Sequence, residues 1–316
     1  MQIVDFTAAH VEQAARIAKI NYDEERGHVP VLPPVDSVPD LTEYAENGLG
    51  VAALEGGEML GFLCCKNPWD NAWHIPGLRH VFSPMGANGT ISLGRAKIYA
   101  RLYETAGAKW VKAGAGSHGI CLYAHDTAGQ AQFFRYGFGM RCIDAIRGLD
   151  GVADTECDGY TFNELTPDEA IVTMPLDNRL HGYLLDSPFF LYRAEHNETD
   201  YKEYLNMNKP TCFAAEFEGR TVAYFFAERE GETFIMDTPG YYHISAAYCL
   251  PEHRGKGLSQ RLLYLLTQKL KSQGYNRLGV DYESVNPSGS AFWGKHFDAY
   301  THSVVRRIDE LALQEP

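Results

Sequence analysis

The sequence predicts a mixed α/β protein built from two tandem halves, each with a mostly antiparallel, twisted sheet flanked by helices. Residues 123–138 and 282–297 each carry a Tyr, a pair of aromatic residues and a final Phe at matching positions, 159 residues apart. Residues 6–10 and 165–169 repeat at the same offset. Because these matches lie at the start and end of each half, they indicate a duplication. Strand-like and helix-like segments alternate in both halves, which is typical of this fold class.

The boundary between the halves is predicted in a Gly- and Asp-rich connector around Cys157, which gives domains 1–155 and 156–316. In the first half, Gly56 and Gly57 lie between two apolar runs and predict a β-hairpin. The second half shows a corresponding hairpin, in which residues 218–220 connect the runs 211–217 and 221–228. Both halves are therefore expected to contain the same type of sheet.

The second half opens with a predicted strand at 160–165. Thr166, Pro167 and Glu169 follow with the pattern of a helix N-terminus, in which Thr and Glu form a capping box, so a helix is expected to about residue 180. A further amphipathic helical segment is predicted around residues 201–207.

After the hairpin, an aromatic-rich strand at 242–250 leads into a helix with a broad leucine stripe from Leu258 to Leu270. That helix is expected to end at Gln273-Gly274. A strand at 277–284, a short helix at 288–297 and a closing strand at 301–308 complete the second half.

The composition excludes several classes of protein. The chain has 316 residues and a formal net charge of −13, and no Lys/Arg cluster is present that could neutralise phosphates, so we expect no nucleic-acid partner. The sequence contains no apolar run of about 18 residues, the length that a membrane span needs, and the N-terminus lacks a signal-peptide core. We therefore expect a cytoplasmic protein. The seven cysteines include no CxxC pair, and we predict free thiols and no metal site. The acidic charge favours a cationic small molecule or peptide as partner.

The turn between the strand at 242–250 and the leucine-striped helix predicts an anion site. A strand that turns directly into a helix leaves backbone N–H groups without intrahelical partners at the positive end of the helix dipole. Gly255 and Gly257 allow the unusual φ angles of such a loop, and Arg254 and Lys256 add positive charge at its rim. The turn matches neither the Walker loop nor the GxGxxG fingerprint.

These residues resemble the acetyl-CoA signature of the GCN5-related N-acetyltransferase (GNAT) superfamily, which is Gln or Arg, two residues, Gly, one residue, then Gly or Ala. The match comprises Arg254, Gly255, Lys256, Gly257, Leu258 and Ser259, with Ser259 in place of the last small residue. The later family signature resembles Asn286, Gly289, Phe292, Trp293, His296 and Phe297. The resemblance covers the second half in element order and implies two tandem GNAT-like domains.

The resemblance implies acetyl-CoA as co-substrate and a primary amine of a small molecule or peptide as acceptor. The pyrophosphate would lie on the glycine turn, and the pantetheine arm would pair with the end of the preceding strand, at Tyr248, Cys249 and Leu250. A backbone N–H near Cys249 would polarise the thioester carbonyl. Asn286 would orient the cofactor amide. The acceptor's identity and the oligomeric state are not predicted.

The catalytic groups depart from the family pattern. Trp293 occupies the place of the family's tyrosine acid, and an indole N–H does not transfer a proton in this way. Tyr282 and Tyr300 are the candidate substitutes. His243 is the candidate base, or the residue that holds a water relay, because histidine titrates nearest neutral pH; the alternative is a polar strand residue with a structural hydrogen bond.

Two acidic residues, Glu216 and Asp237, are weaker candidates for the base. In the first half, Arg95 and Lys97 stand where the small residues of the glycine turn would be. We therefore expect a duplicated first domain that keeps the fold and does not bind acetyl-CoA.

Two other functions remain open. The protein could be a non-catalytic acyl-CoA-binding or regulatory module, which the replacement of the tyrosine by Trp293 favours. It could also be a tRNA-dependent aminoacyl transferase, since some of these enzymes pair two such folds; the net charge of −13 argues against this.

Overall fold

The structure, a computed structural model, describes residues 1–313. Its strands, in chain order, are β1 (Gln2–Asp5), β2 (Val51–Glu55), β3 (Glu58–Leu63), β4 (His80–Ser83), β5 (Asn88–Thr90), β6 (Ser117–Tyr123), β7 (Gly139–Gly148), β8 (Tyr160–Leu165), β9 (Thr211–Phe217), β10 (Arg220–Glu228), β11 (Tyr241–Cys249), β12 (Arg277–Glu283) and β13 (Asp298–Arg307). Its helices are α1 (Val11–His28), α2 (Thr42–Glu46), α3 (Arg95–Lys112), α4 (Thr127–Arg135), α5 (Met174–Leu185), α6 (Glu198–Asn208), α7 (Leu258–Ser272) and α8 (Pro287–His296). Within these residues, no helix is both long and apolar enough to cross a membrane.

The chain forms two compact units. Of the described residues, the first unit contains Met1–Asp144 and residues 298–313, and the second contains Ala145–Phe297. Each unit combines antiparallel and parallel strand pairs with flanking helices, so the predicted fold class is confirmed. The units differ from the predicted domains 1–155 and 156–316, because the first boundary lies between Asp144 and Ala145 and residues 298–313 belong to the first unit.

The first unit contains a four-stranded antiparallel sheet in the order β1-β2-β3-β5. In the same unit, β6 pairs in parallel with β4 and antiparallel with β13. Helix α3 supplies one face of the core, because its apolar residues recur at helical spacing. The core around α3 and β6 includes Ile98, Tyr99, Leu102, Tyr103, Ala106, Trp110, Ile120, Leu122, Phe133 and Val304.

Strand β13 was expected to close the second half, and this prediction is wrong. Thr301–Arg307 pairs with Tyr123–Ser117 of β6 over seven consecutive residues. Val304 is 0% exposed and packs in the same cluster as Trp110 and Ile120. The strand therefore has the hydrogen-bond partner and the apolar surface that it needs in the first unit.

In the second unit, β8, β9, β10 and β11 form consecutive antiparallel pairs, and β12 adds to β11 in parallel. Helix α7 packs on β9 and β10 with the predicted leucine stripe, of which Leu258, Leu262, Leu263, Leu266 and Leu270 are buried. Glu218 and Gly219 both have positive φ in the turn between β9 and β10, as a two-residue hairpin requires.

The predicted start of the first helix of this unit is confirmed only in part. The Thr166 N–H donates to Glu169 Oε2 at 2.9 Å, and the Thr166 hydroxyl accepts from the Glu169 N–H at 3.4 Å, as in a capping box. A short 3₁₀ segment, Glu169–Thr173, follows, and the α-helix begins only at Met174. Pro175 suits this second start because the first turn of a helix needs no N–H from it. Helix α5 then continues to Leu185, beyond the predicted residue 180.

The position of β13 generates a stability prediction. Val304→Ala removes buried methyl groups from the first unit's core and should lower the free energy of unfolding by about 2 kcal/mol. Val305→Ala is the matched control. The Val305 side chain is only partly buried, so its truncation should lower the free energy of unfolding much less. Urea unfolding of both variants measures the difference. Equal losses would contradict the assignment of Val304 to this core.

Candidate active site

The central feature of the second unit is an opening between β11 and β12. The two strands pair in parallel only from Tyr241–Ile244 to Arg277–Val280, although β11 continues to Cys249 and β12 to Glu283. At the same point β11 carries a bulge: Phe226 of β10 pairs with Ala246, and Ala227 pairs with Ile244. Ser245 is thus the extra residue, and a bulge bends the strand that carries it. Beyond Ser245 the strands diverge.

The divergence leaves backbone groups of β11 directed into the opening. The Leu250 N–H donates to the Val222 carbonyl at 2.9 Å, on the β10 side. Because backbone groups alternate between the two edges of a strand, the N–H groups of Cys249 and Ala247 face away from β10. The Cys249 carbonyl accepts from Arg254 Nε at 3.0 Å. These N–H groups are therefore placed to bind an extended, amide-bearing chain.

A cavity of about 480 Å³, called here the first cavity, lies along this edge and the start of α7. Most of the residues predicted to bind the cofactor line it: Tyr248, Cys249, Arg254, Gly255, Gly257, Leu258, Ser259, Asn286 and Trp293.

The glycine turn has the backbone geometry of an anion site. Gly255 and Gly257 have φ angles of +75° and +83°, which favour glycine, and Gly257 is the N-cap of α7. The N–H groups of the first helical turn therefore point out of the helix beside the cavity. Arg254 is held at the rim, with its guanidinium 5.1 Å from the Tyr183 ring centre and 5.6 Å from that of Tyr248. The site combines a helix N-terminus with a fixed positive charge.

Two residues predicted to bind the cofactor do not line the first cavity. Leu250 packs against the apolar cluster that includes Tyr224, and its N–H is bonded to Val222. The Lys256 ammonium lies 5.8 Å from the Tyr160 ring centre. Strand alternation turns Leu250 away from the cavity, and the direction of the turn carries Lys256 toward Tyr160. The sequence pattern specifies neither.

The first cavity also contains residues that the sequence motifs missed. Tyr183 lies near the end of α5, and its hydroxyl is 3.0 Å from Ser288 Oγ and 3.4 Å from Asn286 Oδ1. Phe225 and Lys295 also line the cavity. Only Lys295 had a sequence signal, since it lies inside the second family signature; Tyr183 and Phe225 are brought to the site by packing.

A second cavity of about 420 Å³ opens on the other side of the same gap. Its charged and polar lining residues are Asp177, His181, Arg193, His196, Tyr204, Ser245, Asp281, Tyr282, Glu283 and Asn286. Four residues line both cavities: Leu180, Ala247, Asn286 and Trp293. The two cavities therefore meet where β11 and β12 separate.

The three predicted catalytic residues have different positions. Tyr282 lines the second cavity and is 9% exposed. His243 lines neither cavity; it is buried, with Nδ1 2.8 Å from the Tyr241 hydroxyl and Nε2 2.8 Å from Asp281 Oδ1. Tyr300 is 1% exposed on β13 of the first unit and lines neither cavity, because β13 does not belong to the second unit. The weaker candidates Glu216 and Asp237 also lie outside both linings.

Burial controls the ionisation of the groups along the opening. It raises the pKa of the Cys249 thiol to about 11, so this residue is a protonated thiol at neutral pH. Burial also raises the pKa of the Tyr248 hydroxyl. Neither group is an anion near pH 7, and the first cavity keeps the positive character that Arg254 and Lys295 give it.

Asn286 caps α8, since its Oδ1 accepts from the Gly289 N–H at 2.9 Å. In the first unit Asp126 caps α4 in the same way, with Oδ1 2.9 Å from the Gly129 N. The repeat therefore places Asp126 opposite Asn286, one residue before the position that the 159-residue offset gives.

The first unit's counterpart of α7 is α3, and Gly94 is its N-cap with φ +76°. Gly94 thus takes the place of Gly257, and the sequence alignment of Arg95 and Lys97 with the small residues needs this correction. The Arg95 guanidinium is ion-paired with Glu24 and lies 3.9 Å from Asp126 Oδ2, and its side chain is 10% exposed. A paired arginine therefore fills the position beside this helix start.

The backbone geometry of the turn generates a second prediction. Gly257→Ala and Gly255→Ala should each cost about 1–2 kcal/mol, because both residues have left-handed φ angles. A Cβ on Gly257 would also lie 2.7 Å from Thr155 Cγ2, whereas one on Gly255 meets nothing within 4 Å. We expect Gly257→Ala to be the more destabilising in urea unfolding. The reverse order would show that the close contact at Thr155 relaxes without cost.

Comparison with known proteins agrees with this geometry. Residues 167–297 match the family model described as the acetyltransferase (GNAT) family. No protein of curated function matches the chain in sequence at a significant level.

Three solved structures align over nearly the whole chain. A GCN5-related N-acetyltransferase from Sphaerobacter thermophilus has 13% sequence identity, with 96% of this chain and 95% of that chain covered and a TM-score of 0.56. An acetyltransferase of the GNAT family from Colwellia psychrerythraea has 12% identity, with 98% and 100% covered and a TM-score of 0.50. A tandem GNAT protein from the clavulanic acid biosynthesis pathway has 14% identity, with 97% and 98% covered and a TM-score of 0.46.

The resemblance predicted from the glycine turn is therefore confirmed. Residues 167–297 form a domain of the acetyltransferase (GNAT) family, in a two-unit chain that shares the GNAT fold over nearly its entire length.

Proposed function

We propose that the protein is an acetyl-CoA-dependent N-acetyltransferase that acetylates a primary amine of a small molecule or peptide in its second unit. The observation that carries the proposal is the opening between β11 and β12, where the first and second cavities share Leu180, Ala247, Asn286 and Trp293. A donor in one cavity and an acceptor in the other would meet at this opening, which is the proximity that group transfer requires.

The first cavity fits acetyl-CoA by its donor set. The α7 N-terminus and Arg254 would bind the pyrophosphate, and the N–H groups of Ala247 and Cys249 would pair with the amide-bearing arm. Acetyl-CoA would supply the activated acetyl group as a thioester. An N–H in this edge that donates to the carbonyl oxygen stabilises charge that develops there, with an effect of about 3 kcal/mol in comparable acyl-transfer sites.

The second cavity fits a cationic acceptor. Asp177, Asp281 and Glu283 line it, whereas Arg193 is its one arginine among the described lining residues and lies 3.9 Å from Glu283. Carboxylates in a partly enclosed site attract an ammonium group. An amine must also lose a proton before it can attack a carbonyl, so the cavity needs a proton acceptor close to the opening.

Asp281 is the group best placed to accept that proton. Its carboxylate lines the second cavity and is bonded to His243, which in turn contacts the Tyr241 hydroxyl. A Cβ on Gly279 would lie 1.9 Å from that hydroxyl, so the backbone of β12 at Gly279 packs closely against the Tyr241 side chain. His243 then acts as a positioning residue for Asp281, in place of the direct base that the sequence indicated.

Tyr282 is the proposed acid for the leaving thiolate, because it is the one tyrosine of the predicted pair that lines a cavity. Trp293 packs against Phe225 and Phe297, with ring centres 5.6 and 5.5 Å away, and shapes the opening shared by both cavities. Its indole serves as a wall of the opening, since the indole N–H can donate a hydrogen bond but does not act as a proton-transferring acid.

The proposal assigns acetyl-CoA binding to the second unit alone. In the first unit Glu24 pairs with Arg95 beside the start of α3, so the positive charge there is already neutralised. The buried carboxylate of Asp126, 3.9 Å from the guanidinium, adds negative charge that repels a phosphate.

Calorimetry tests the cofactor assignment. Acetyl-CoA should bind one site per chain, and Gly257→Glu should abolish binding because it places an anion and a left-handed strain at the phosphate position. Gly94→Glu is the matched control: it introduces the same change at the corresponding N-cap of the first unit and should leave binding intact. Two sites, or loss of binding with Gly94→Glu alone, would overturn the assignment.

Thiol release from acetyl-CoA, measured across amines, polyamines, aminoglycosides and peptides, tests the reaction. With the best amine, Asp281→Asn should lower kcat about 10²- to 10⁴-fold without loss of acetyl-CoA binding. His243→Gln should cause a smaller loss and shift the pH profile of kcat. Asp237→Asn is the control, since Asp237 lines neither cavity. Tight binding of acetyl-CoA with no active amine would favour a non-catalytic acyl-CoA-binding module.

A further inference from the structure

The second cavity contains a group of metal-ligand side chains, of which the acetyl-transfer proposal uses only the negative charge of Asp177. Asp177, His181 and His196 each offer one ligand atom, and these atoms all lie within 4.8 Å of one another. All three residues line the cavity. Asp177 is buried and the two histidines are partly exposed, so the group is open to solvent from one side.

Local structure brings the three side chains together. Asp177 and His181 are four residues apart on α5 and therefore project from the same face of the helix. His196 lies in the segment before α6. Asn178 fixes it there, because the Asn178 side chain donates to the His196 carbonyl at 3.0 Å and accepts from the His196 N–H at 2.8 Å. The third ligand is thus tied directly to the helix that carries the other two.

Hydrogen bonds around the group orient its ligand atoms as the outer partners of metal ligands do. His181 Nδ1 lies 2.7 Å from the Ala194 carbonyl, which can only accept, so Nδ1 carries the proton and Nε2 keeps a lone pair. The Tyr224 hydroxyl donates to Asp177 Oδ1. His196 Nε2 lies 3.1 Å from Asp177 Oδ2. Two ligands at about 2.0–2.1 Å from a tetrahedral ion are themselves about 3.3 Å apart, which is close to this separation.

We propose that Asp177, His181 and His196 bind a first-row divalent metal ion with the ligand preference of Zn²⁺. Two imidazoles and one carboxylate suit such an ion. Binding replaces the proton between His196 Nε2 and Asp177 Oδ2, and that proton is released to solvent. Three protein ligands leave the fourth position for water or for a donor atom of a molecule in the second cavity. The proposal concerns metal binding alone and does not depend on acetyl transfer.

The test uses the full chain, first stripped of metal with a chelator and kept in a phosphine reductant so that its cysteines stay reduced. Titration with Zn²⁺ in a calorimeter, without acetyl-CoA or an amine, should give one ion per chain. Co²⁺ should give the visible absorption of a tetrahedral site. His181→Ala and His196→Ala should each abolish both signals, whereas His10→Ala, which removes a first-unit histidine, should change neither.

Tyr224→Phe provides a second measure, because it keeps all three ligands and removes only the hydrogen bond to Asp177. It should weaken Zn²⁺ binding about 10- to 100-fold. Circular dichroism checks that each variant is folded. Absence of stoichiometric binding by the folded wild-type chain would overturn the proposal, as would binding that survives in folded His181→Ala and His196→Ala.

Discussion

The site depends on one interruption of backbone hydrogen bonding. Strands β11 and β12 pair over only four residues of each strand, and the bulge at Ser245 stands where the pairing ends. Had the ladder continued, the edge of β11 from Ala246 to Cys249 would have bonded to β12, and no opening would exist between them. The interruption leaves the edge of β11 beyond Ser245 without β12 as its hydrogen-bond partner, at the place where the two cavities meet. The sheet thereby gains an opening that both cavities line.

The opening is stabilised by contacts on both sides. On one side, the Leu250 N–H remains bonded to β10 and Arg254 Nε bonds the Cys249 carbonyl, so the strand end and the glycine turn keep a fixed relation. On the other side, His243 connects Asp281 of β12 to β11. A buried histidine bonded at both ring nitrogens resists rotation, and it holds the carboxylate at the mouth of the second cavity. These hydrogen bonds hold Asp281 and Arg254 in fixed positions relative to the sheet.

Local sequence patterns predicted much of this structure. The features that depend on pairing between distant segments could not be predicted in this way. The glycine turn, the leucine stripe of α7 and the capping box of Thr166 and Glu169 could be predicted because each depends on residues within a few turns. The place of β13 could not, because its choice of β6 depends on residues about 180 positions earlier in the chain. The bulge at Ser245 has no signature in a strand of small and aromatic residues. His243 was selected because histidine as a residue type titrates nearest neutral pH, but packing buries it and leaves Asp281 partly exposed. His196 joins Asp177 and His181 across a loop, so no spacing rule connects them.

The two units show which parts of a duplicated fold are tied to folding and which to a ligand. Both keep a left-handed glycine at the start of the long helix, Gly94 and Gly257, and both cap the later helix with a side chain that accepts from a glycine N–H. These features satisfy backbone groups at helix ends, so each unit needs them whether or not it binds anything. The side chains beside the glycines differ: Arg95 is buried in ion pairs, whereas Arg254 lies at the rim of a cavity. Because an ion pair inside the protein and an external anion compete for the same guanidinium, the pairing of Arg95 with Glu24 stabilises the first unit at the expense of an anion site. The second unit leaves that charge available, which is why the two similar helix starts are expected to differ in function.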